Sequence, residues 1–282
     1  MKTILVTGAT GFIGRYLVPL LVNNHTVIAT SRQEDNARHF EWYKNTKYIP
    51  FDLATFDPQI DYYTFFGKPD LLIHLAWEGL PDYKSPFHTE INLPRHYLFL
   101  HNLITNGLKD ITITGTCLEY GMQEGALSEE MEVKPANAYA IAKNQLREAV
   151  GKLSDEYRVI LKWVRLFYMY GKGQHPKSLA AQLDKAIEEN KKIFDMSGGE
   201  QVRDFLPVEK VAENIVKIAL QQQETGIINC SSNQPVSVKK FVESYLAERD
   251  LHIILNTGVY SYPDYEPMQF WGKNERLKKI IG

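Results

Sequence analysis

Cysteine is scarce. The 282 residues contain two, Cys117 and Cys230, too few for a disulfide framework. No stretch approaches the ~18 apolar residues of a membrane-spanning helix. Charge of one sign is also lacking, since 32 basic and 34 acidic residues leave a formal charge of −2. Domains that bind nucleic acid through bulk charge are usually clearly basic, so the balance argues against that class and leaves room only for a locally basic pocket. The eight histidines form no paired spacing with cysteine or carboxylate of the kind that holds zinc, and no metal is expected. Met1–Gly8 meets its first glycine too early for a signal peptide. The expectation is a soluble cytoplasmic protein with no membrane or nucleic-acid partner.

A chain that is 44% hydrophobic has ample material for a core. At about 150 residues per domain, its length suits two domains or one large unit with an appendage. Short β-rich runs at Thr3–Thr7, Thr26–Thr30, Tyr48–Phe51, Leu71–Leu75, Ile111–Thr114 and Val159–Val164 alternate with helical patterns at Gly11–Asn23, Pro86–Gly107 and Ala136–Ser154. Such alternation predicts a mostly parallel sheet covered by helices on both faces. Beyond about residue 165 the pattern changes to helices near Lys177–Asn190, Val208–Gln222 and Ser237–Arg249, linked by short strands and loops. The expected division is therefore 1–165 and 166–282, with some segments of the second part returning to the first.

The turn after the first strand reads Thr7-Gly8-Ala9-Thr10-Gly11-Phe12-Ile13-Gly14. Glycines at this spacing allow a tight turn and close backbone approach to a pyrophosphate, which then meets the free amides of a helix N-terminus. Its place between a strand and a helix makes it a dinucleotide cradle in a Rossmann-type doubly wound sheet. The second strand ends Thr30-Ser31-Arg32, without the carboxylate that usually grips a ribose 2′-hydroxyl. Ser31 and Arg32 can hold a 2′-phosphate instead, so NADP(H) is favoured and NAD(H) remains possible. The alternative is that Arg32 is a solvated loop charge.

Tyr139 and Lys143 stand four apart on a helix and share a face. An ammonium beside a phenol favours the phenolate, so Lys143 is expected to lower the Tyr139 pKa toward neutrality and make a general acid/base. Upstream lies Thr114-Gly115-Thr116-Cys117-Leu118-Glu119-Tyr120-Gly121. Together with the cradle, Asp52-Leu53, His74-Leu75-Ala76, Arg165 before Tyr170-Gly171, and Arg203-Asp204-Phe205, these segments resemble the extended short-chain dehydrogenase/reductase family of nucleotide-sugar epimerases, dehydratases and reductases.

The resemblance implies a smaller C-terminal substrate-binding lobe and a nucleoside-diphosphate sugar as ligand. It implies that Thr116 and Cys117 meet the sugar, Tyr139 transfers the proton, and Lys143 tunes Tyr139 and holds the nicotinamide ribose. Gly8, Thr10, Gly11, Phe12, Ile13 and Gly14 would carry the phosphates, Asp52 and Leu53 would flank the adenine, and Leu75 and Ala76 would line the cofactor. Arg203 would grip the diphosphate, as guanidinium suits phosphate, unless it only pairs with a neighbouring carboxylate. Dehydratases of the family carry an Asp-Glu pair after the catalytic Ser/Thr, and here Cys117 and Leu118 occupy those positions.

Reduction of a nucleoside-diphosphate 4-keto-6-deoxyhexose is the expected reaction. Tyr168 stands where epimerases usually have Asn. A 4-epimerase with tightly held NAD is the alternative, and a non-catalytic dinucleotide-binding regulator is less expected because Thr116, Tyr139 and Lys143 are all present. Trp77 and Tyr83 either stack on a ligand or plug their loop, and His96 and His101 are expected at partial exposure. Family resemblance also implies a homodimer through the helices at Pro86–Gly107 and Ala136–Ser154.

Overall fold

Thr3–Thr7 forms strand β1, whose Ile4, Leu5 and Val6 are wholly buried, as expected of a central strand covered on both faces. The computed structural model describes residues 1–282. In its first half follow α1 (Gly14–Leu21), β2 (Thr26–Thr30), α2 (Glu34–Arg38), β3 (Lys47–Tyr48), α3 (Tyr62–Phe65), β4 (Leu71–His74), α4 (Leu93–Thr105) and β5 (Asp110–Thr116). Next come β6 (Gly125–Leu127), α5 (Ala138–Tyr157), β7 (Ile160–Leu166), β8 (Tyr168–Tyr170), α6 (Leu179–Glu188), β9 (Ile193–Asp195) and β10 (Val202–Pro207). The chain ends with α7 (Val208–Leu220), β11 (Gly226–Cys230), β12 (Pro235–Ser237), α8 (Val238–Ala247), β13 (Ile254–Asn256), β14 (Phe270–Gly272) and α9 (Glu275–Ile281).

Seven strands make one sheet in the order β11-β7-β5-β4-β1-β2-β3, and every pairing in it is parallel. The reversal of strand direction of growth at β1 and β4 opens a crevice at their carboxyl ends, the place where ligands bind in doubly wound folds. Alternation along β1 sends Ile4 and Val6 into a core under α1, α7 and α9, and Leu5 into a second core under α4 and α5. Although α7, β11 and α9 come late in the chain, they pack on or in this main sheet. A third core, around Leu183, Phe194, Met196, Phe241 and Val242, builds the smaller lobe from α6, β9 and α8. Between the lobes, Cys117, Tyr120, Leu127, Phe167 and Phe270 form a small apolar joint.

Some boundaries differ from the sequence reading. Helix α1 starts at Gly14 rather than Gly11, because residues 8–13 are consumed by the turn. Strand β5 runs on to Thr116, so the candidate catalytic hydroxyl sits at a strand end. His96 departs most: it is buried, not partly exposed. Its Nδ1 lies 2.7 Å from His74 Nε2, and His74 Nδ1 lies 2.8 Å from Thr7 Oγ1. The hydrogen bonds satisfy both ring nitrogens of His74 and Nδ1 of His96, which helps keep these imidazoles in a core.

Burial holds His74 down to about 3 and His96 well below its usual range. Both stay neutral in the fold and protonate on unfolding near pH 6.5. Their contribution to stability is therefore complete above that pH and declines as pH falls toward 3, each proton adding about 1.4 kcal/mol per pH unit to the slope. Chemical denaturation between pH 6 and 5 should give a steeper loss for the wild type than for His96→Phe, by close to one proton. Equal slopes would show that His96 charges within the fold.

Candidate active site

The turn from β1 into α1 leaves room for backbone alone. Gly8 has φ +69°, and a Cβ there would lie 2.9 Å from Ala76 N, while a Cβ on Gly14 would collide with the Gly8 carbonyl. This cradle, which any side chain would fill, fits a pyrophosphate at the start of α1. It opens into a cleft of about 1640 Å³ between the lobes, and Thr10, Phe12 and Ile13 line the same wall. Leu75 and Ala76 close the side above β4, and Asp52 and Leu53 follow the end of β3. Asp52 is fixed by its carboxylate, which accepts from Ala54 N at 2.9 Å.

At the adenosine end, Ser31 Oγ accepts from Thr10 Oγ1 at 2.9 Å and shares a 2.6 Å hydrogen bond with Tyr48 OH. Arg32 donates to the Glu78 carboxylate, which also lies 3.9 Å from Arg95. The two residues expected to hold a 2′-phosphate are therefore both engaged within the protein. Glu78 carries no signal in the sequence, because its partner lies on the loop after a different strand.

Thr116, Tyr139 and Lys143 enter the cleft from β5 and α5. Thr116 Oγ1 accepts from Leu118 N at 3.2 Å, and its backbone N donates to Glu119 Oε1 at 2.9 Å. Asn137 caps α5 by accepting from Ala140 N at 2.9 Å, and Tyr139 N donates to Tyr83 O at 3.0 Å. The Tyr139 ring is enclosed by Tyr83, His88 and Trp77, with centroids at 5.6, 5.3 and 6.0 Å. Lys143 Nζ donates to Thr114 O at 2.8 Å and lies 4.0 Å from the centre of the Trp77 ring.

Electrostatically the site differs from the expectation. Burial dominates and pushes the Tyr139 phenol above its ordinary value, with a Thr116 hydrogen bond acting in the opposite direction. Burial likewise lowers Lys143 to about 7, opposed by Glu119. The expected fall of the tyrosine toward neutrality is thus absent: burial of the phenol dominates, and Lys143 is not among the groups acting on it. Cys117 lines the cleft, but burial pushes its thiol well up, against any thiolate role. Glu119 is wholly buried and accepts from Trp163 Nε1 and from Arg165 Nε. It therefore does not face a substrate as the acid or base of a dehydration.

On the opposite wall, Arg203 Nη1 donates to Val202 O at 2.9 Å and Met268 O at 3.0 Å. Its Nη2 lies 3.1 Å from Glu266 Oε2, off the N–H direction, so this nitrogen makes an ion pair but no hydrogen bond. Tyr168 OH also meets Glu266. Glu266 was not legible in the sequence, since only the fold brings the tail to β10. Tyr260, Tyr262 and Tyr265 of that tail line the cleft, as do Gln174, His175, Lys177 and Ser178 ahead of α6. Lys84 donates to Asp264 at 2.8 Å and so fastens the tail to the loop after β4.

Residues 4–231 match the model of the NAD dependent epimerase/dehydratase family. Across 271 residues, covering 95% of this chain and 98% of the relative, the sequence is 31% identical to a dTDP-6-deoxy-L-talose 4-dehydrogenase (NAD(+)) of Aggregatibacter actinomycetemcomitans. It is 28% identical to a GDP-6-deoxy-D-talose 4-dehydrogenase of the same organism, covering 99% and 91% of the two chains. A UDP-N-acetylglucosamine 4-epimerase from Methanobrevibacter ruminantium M1 superposes with a TM-score of 0.85 at 21% identity, over 100% of this chain and 92% of that one. A UDP-glucuronic acid 4-epimerase from Bacillus cereus does so with a TM-score of 0.83 at 21% identity, over 99% and 92%. The matched span runs from β1 to the end of β11 and contains the glycine cradle with Thr116, Tyr139 and Lys143: the chain belongs to the NAD-dependent epimerase/dehydratase family, nucleotide-sugar oxidoreductases of the extended short-chain dehydrogenase type.

Proposed function

We propose that the protein interconverts the 4-keto and 4-hydroxy forms of a nucleoside-diphosphate 6-deoxyhexose, acting as a reductase. The observation that carries this reading is the wall around the Tyr139 ring. Trp77 and Tyr83 pack against that ring at 6.0 and 5.6 Å between centroids, and Cys117, Thr116 and Lys143 line the same cleft. An apolar wall suits the methyl group of a 6-deoxy sugar better than a carboxylate. The 4-dehydrogenase names of the two relatives support the same class of sugar.

Backbone amides of Gly8–Gly14 would hold the pyrophosphate of the dinucleotide, Asp52 and Leu53 its adenosine, and Lys143 its ribose. Bound NADH supplies the hydride for the sugar C4. Tyr139 then gives its proton to the C4 oxygen as negative charge develops there, and Thr116 Oγ1 donates a hydrogen bond to the same oxygen. Lys143 stabilises the phenolate left behind. Arg203 meets the diphosphate, with Glu266 balancing its charge.

NAD(H) fits better than NADP(H) in this reading, because Ser31 and Arg32 are already occupied and a 2′-phosphate would have to displace the Glu78 carboxylate. A second reading has one observation in its favour. The Arg32–Glu78 pair joins the loops after β2 and β4 across the adenosine end of the crevice, an arrangement suited to retaining a cofactor, as a 4-epimerase does. A homodimer through α4 and α5 is supported by Leu98 on α4 and Ile91 in the helical turn just before it, which expose 47% and 38% of their surface.

With a panel of 4-keto-6-deoxyhexose nucleotides, NADH should be oxidised stoichiometrically. No oxidation, with NAD copurifying, would replace the reductase with the epimerase. Tyr139→Phe should lower kcat by roughly 10²–10⁴-fold with NADH affinity within a few-fold by fluorescence titration, and undiminished turnover would refute the proton-transfer role. The kcat/KM ratio of NADH to NADPH should exceed about tenfold, which corresponds to about 1.4 kcal/mol. The reverse ratio would mean that Arg32 leaves Glu78 for a 2′-phosphate. Light scattering should give twice the 32.4 kDa chain mass, and Leu98→Glu should halve it. A wild-type monomer would remove the dimer.

A further inference from the structure

We propose that Trp77 is a positioning residue for Lys143, whose indole face carries the ammonium of the lysine and keeps it charged beside Tyr139. This rests on Lys143 serving Tyr139 as described above.

A buried ammonium has three donors to satisfy. Lys143 is 1% exposed and has one hydrogen-bond acceptor, Thr114 O. The carboxylate that acts on it, Glu119, is already committed to Thr116 N, Trp163 Nε1 and Arg165 Nε. What remains is the Trp77 ring, whose centre lies 4.0 Å from Nζ. The quadrupole of an indole face attracts a cation, and most strongly where water is excluded.

The ring is itself held. Trp77 Nε1 donates to His88 Nδ1 at 3.1 Å, and His88 Nε2 lies 2.9 Å from Asp82 O. A carbonyl only accepts, so Nε2 carries the His88 proton and Nδ1 is free to accept from the indole. His96 stacks on the same indole, with centroids 4.6 Å apart and planes at 26°, and is tied through His74 to Thr7. The groups facing Lys143 are therefore Glu119 from the segment after β5, His74 from β4, His88 and His96 from the helical run ending in α4, and Tyr139 one turn before it on α5. Burial keeps all three histidines from charging readily, so they add no competing positive charge at neutral pH.

Without the ring, the ammonium loses its remaining partner and gives up its proton at lower pH. The test begins with the protein alone. The Trp77 emission, taken as wild type minus Trp77→Phe, should titrate near pH 7 and should stop titrating in Lys143→Met. A flat wild-type difference, or one that survives in Lys143→Met, would overturn the proposal whether or not the reductase reading holds.

In the working enzyme, the alkaline limb of kcat/KM should move down by about one pH unit in Trp77→Leu and by less in Trp77→Phe, which keeps a weaker π face. Should Trp77→Leu fail to fold, Trp77→Phe, which still stacks on His96, carries the measurement. A uniform loss of kcat with the limb unmoved in both variants would make Trp77 a packing residue only.

Discussion

The Glu119 carboxylate, buried at the carboxyl end of β5, is the interaction on which the catalytic end of the sheet depends. Its Oε1 accepts from Thr116 N at 2.9 Å and Trp163 Nε1 at 3.0 Å, and its Oε2 accepts from Arg165 Nε at 2.8 Å. Glu119 and Arg165 are both wholly buried. Breaking such a pair on one side strands a charge in low dielectric, at about 3–5 kcal/mol. Arg165 lies over the Tyr120 ring at 4.4 Å, and Tyr120 OH donates to Asn229 Oδ1 at 2.8 Å on β11. Three neighbouring strands are thereby joined at the edge that faces substrate. A second buried pair, Lys162 Nζ with Asp110 Oδ1 at 2.6 Å, pins β5 to β7 nearer their other end. Thr116 is thus placed by a rigid backbone at the end of a strand fixed at both ends.

This lock also bears on which chemistry the fold can host. A carboxylate so engaged and wholly buried does not reach a substrate, and the two positions after Thr116 hold Cys117 and Leu118. What faces the cleft near Tyr139 is aromatic and apolar. A hydroxyl and a phenol there can move one proton to or from one oxygen. They cannot also supply the acid and base that an elimination of water needs. Glu119 thus serves as a buried structural carboxylate, while the Thr116 and Tyr139 hydroxyls, themselves largely buried, line the cleft as a proton-handling pair.

The parts of this arrangement that are local in the chain were legible from the residues. Gly8, Gly11 and Gly14 sit within one turn, and Tyr139 and Lys143 lie one helical turn apart, so spacing alone puts each set on one surface. The seven-stranded parallel sheet follows from strand–helix alternation. What was not legible depends on residues distant in sequence. Glu78 meets Arg32 across β1, Glu266 reaches Arg203 from the tail, and His96 meets His74 from a helix whose pattern suggests a partly exposed ring. Burial is the other hidden quantity. Pairing of Lys143 with Tyr139 was read from spacing as a force that lowers the phenol, but the depth at which both sit reverses the outcome.

That reversal favours the neutral phenol. A phenol held above its ordinary value keeps its proton until a stronger base appears, and an alkoxide forming on the sugar is one. Reduction needs tyrosine as the acid, which is the state burial favours. Oxidation of a hydroxyl needs the phenolate instead, and a charged Lys143 must then offset its desolvation. With Lys143 lowered to about 7 by the same burial, its charge is the variable part of the site. As pH rises through that value the ammonium is lost, and with it the support for the phenolate on which both directions turn. Acid catalysis by Tyr139 begins from a stable neutral state, whereas base catalysis begins from one that the lysine must first create. In the protein alone, burial therefore holds Tyr139 in its proton-bearing state.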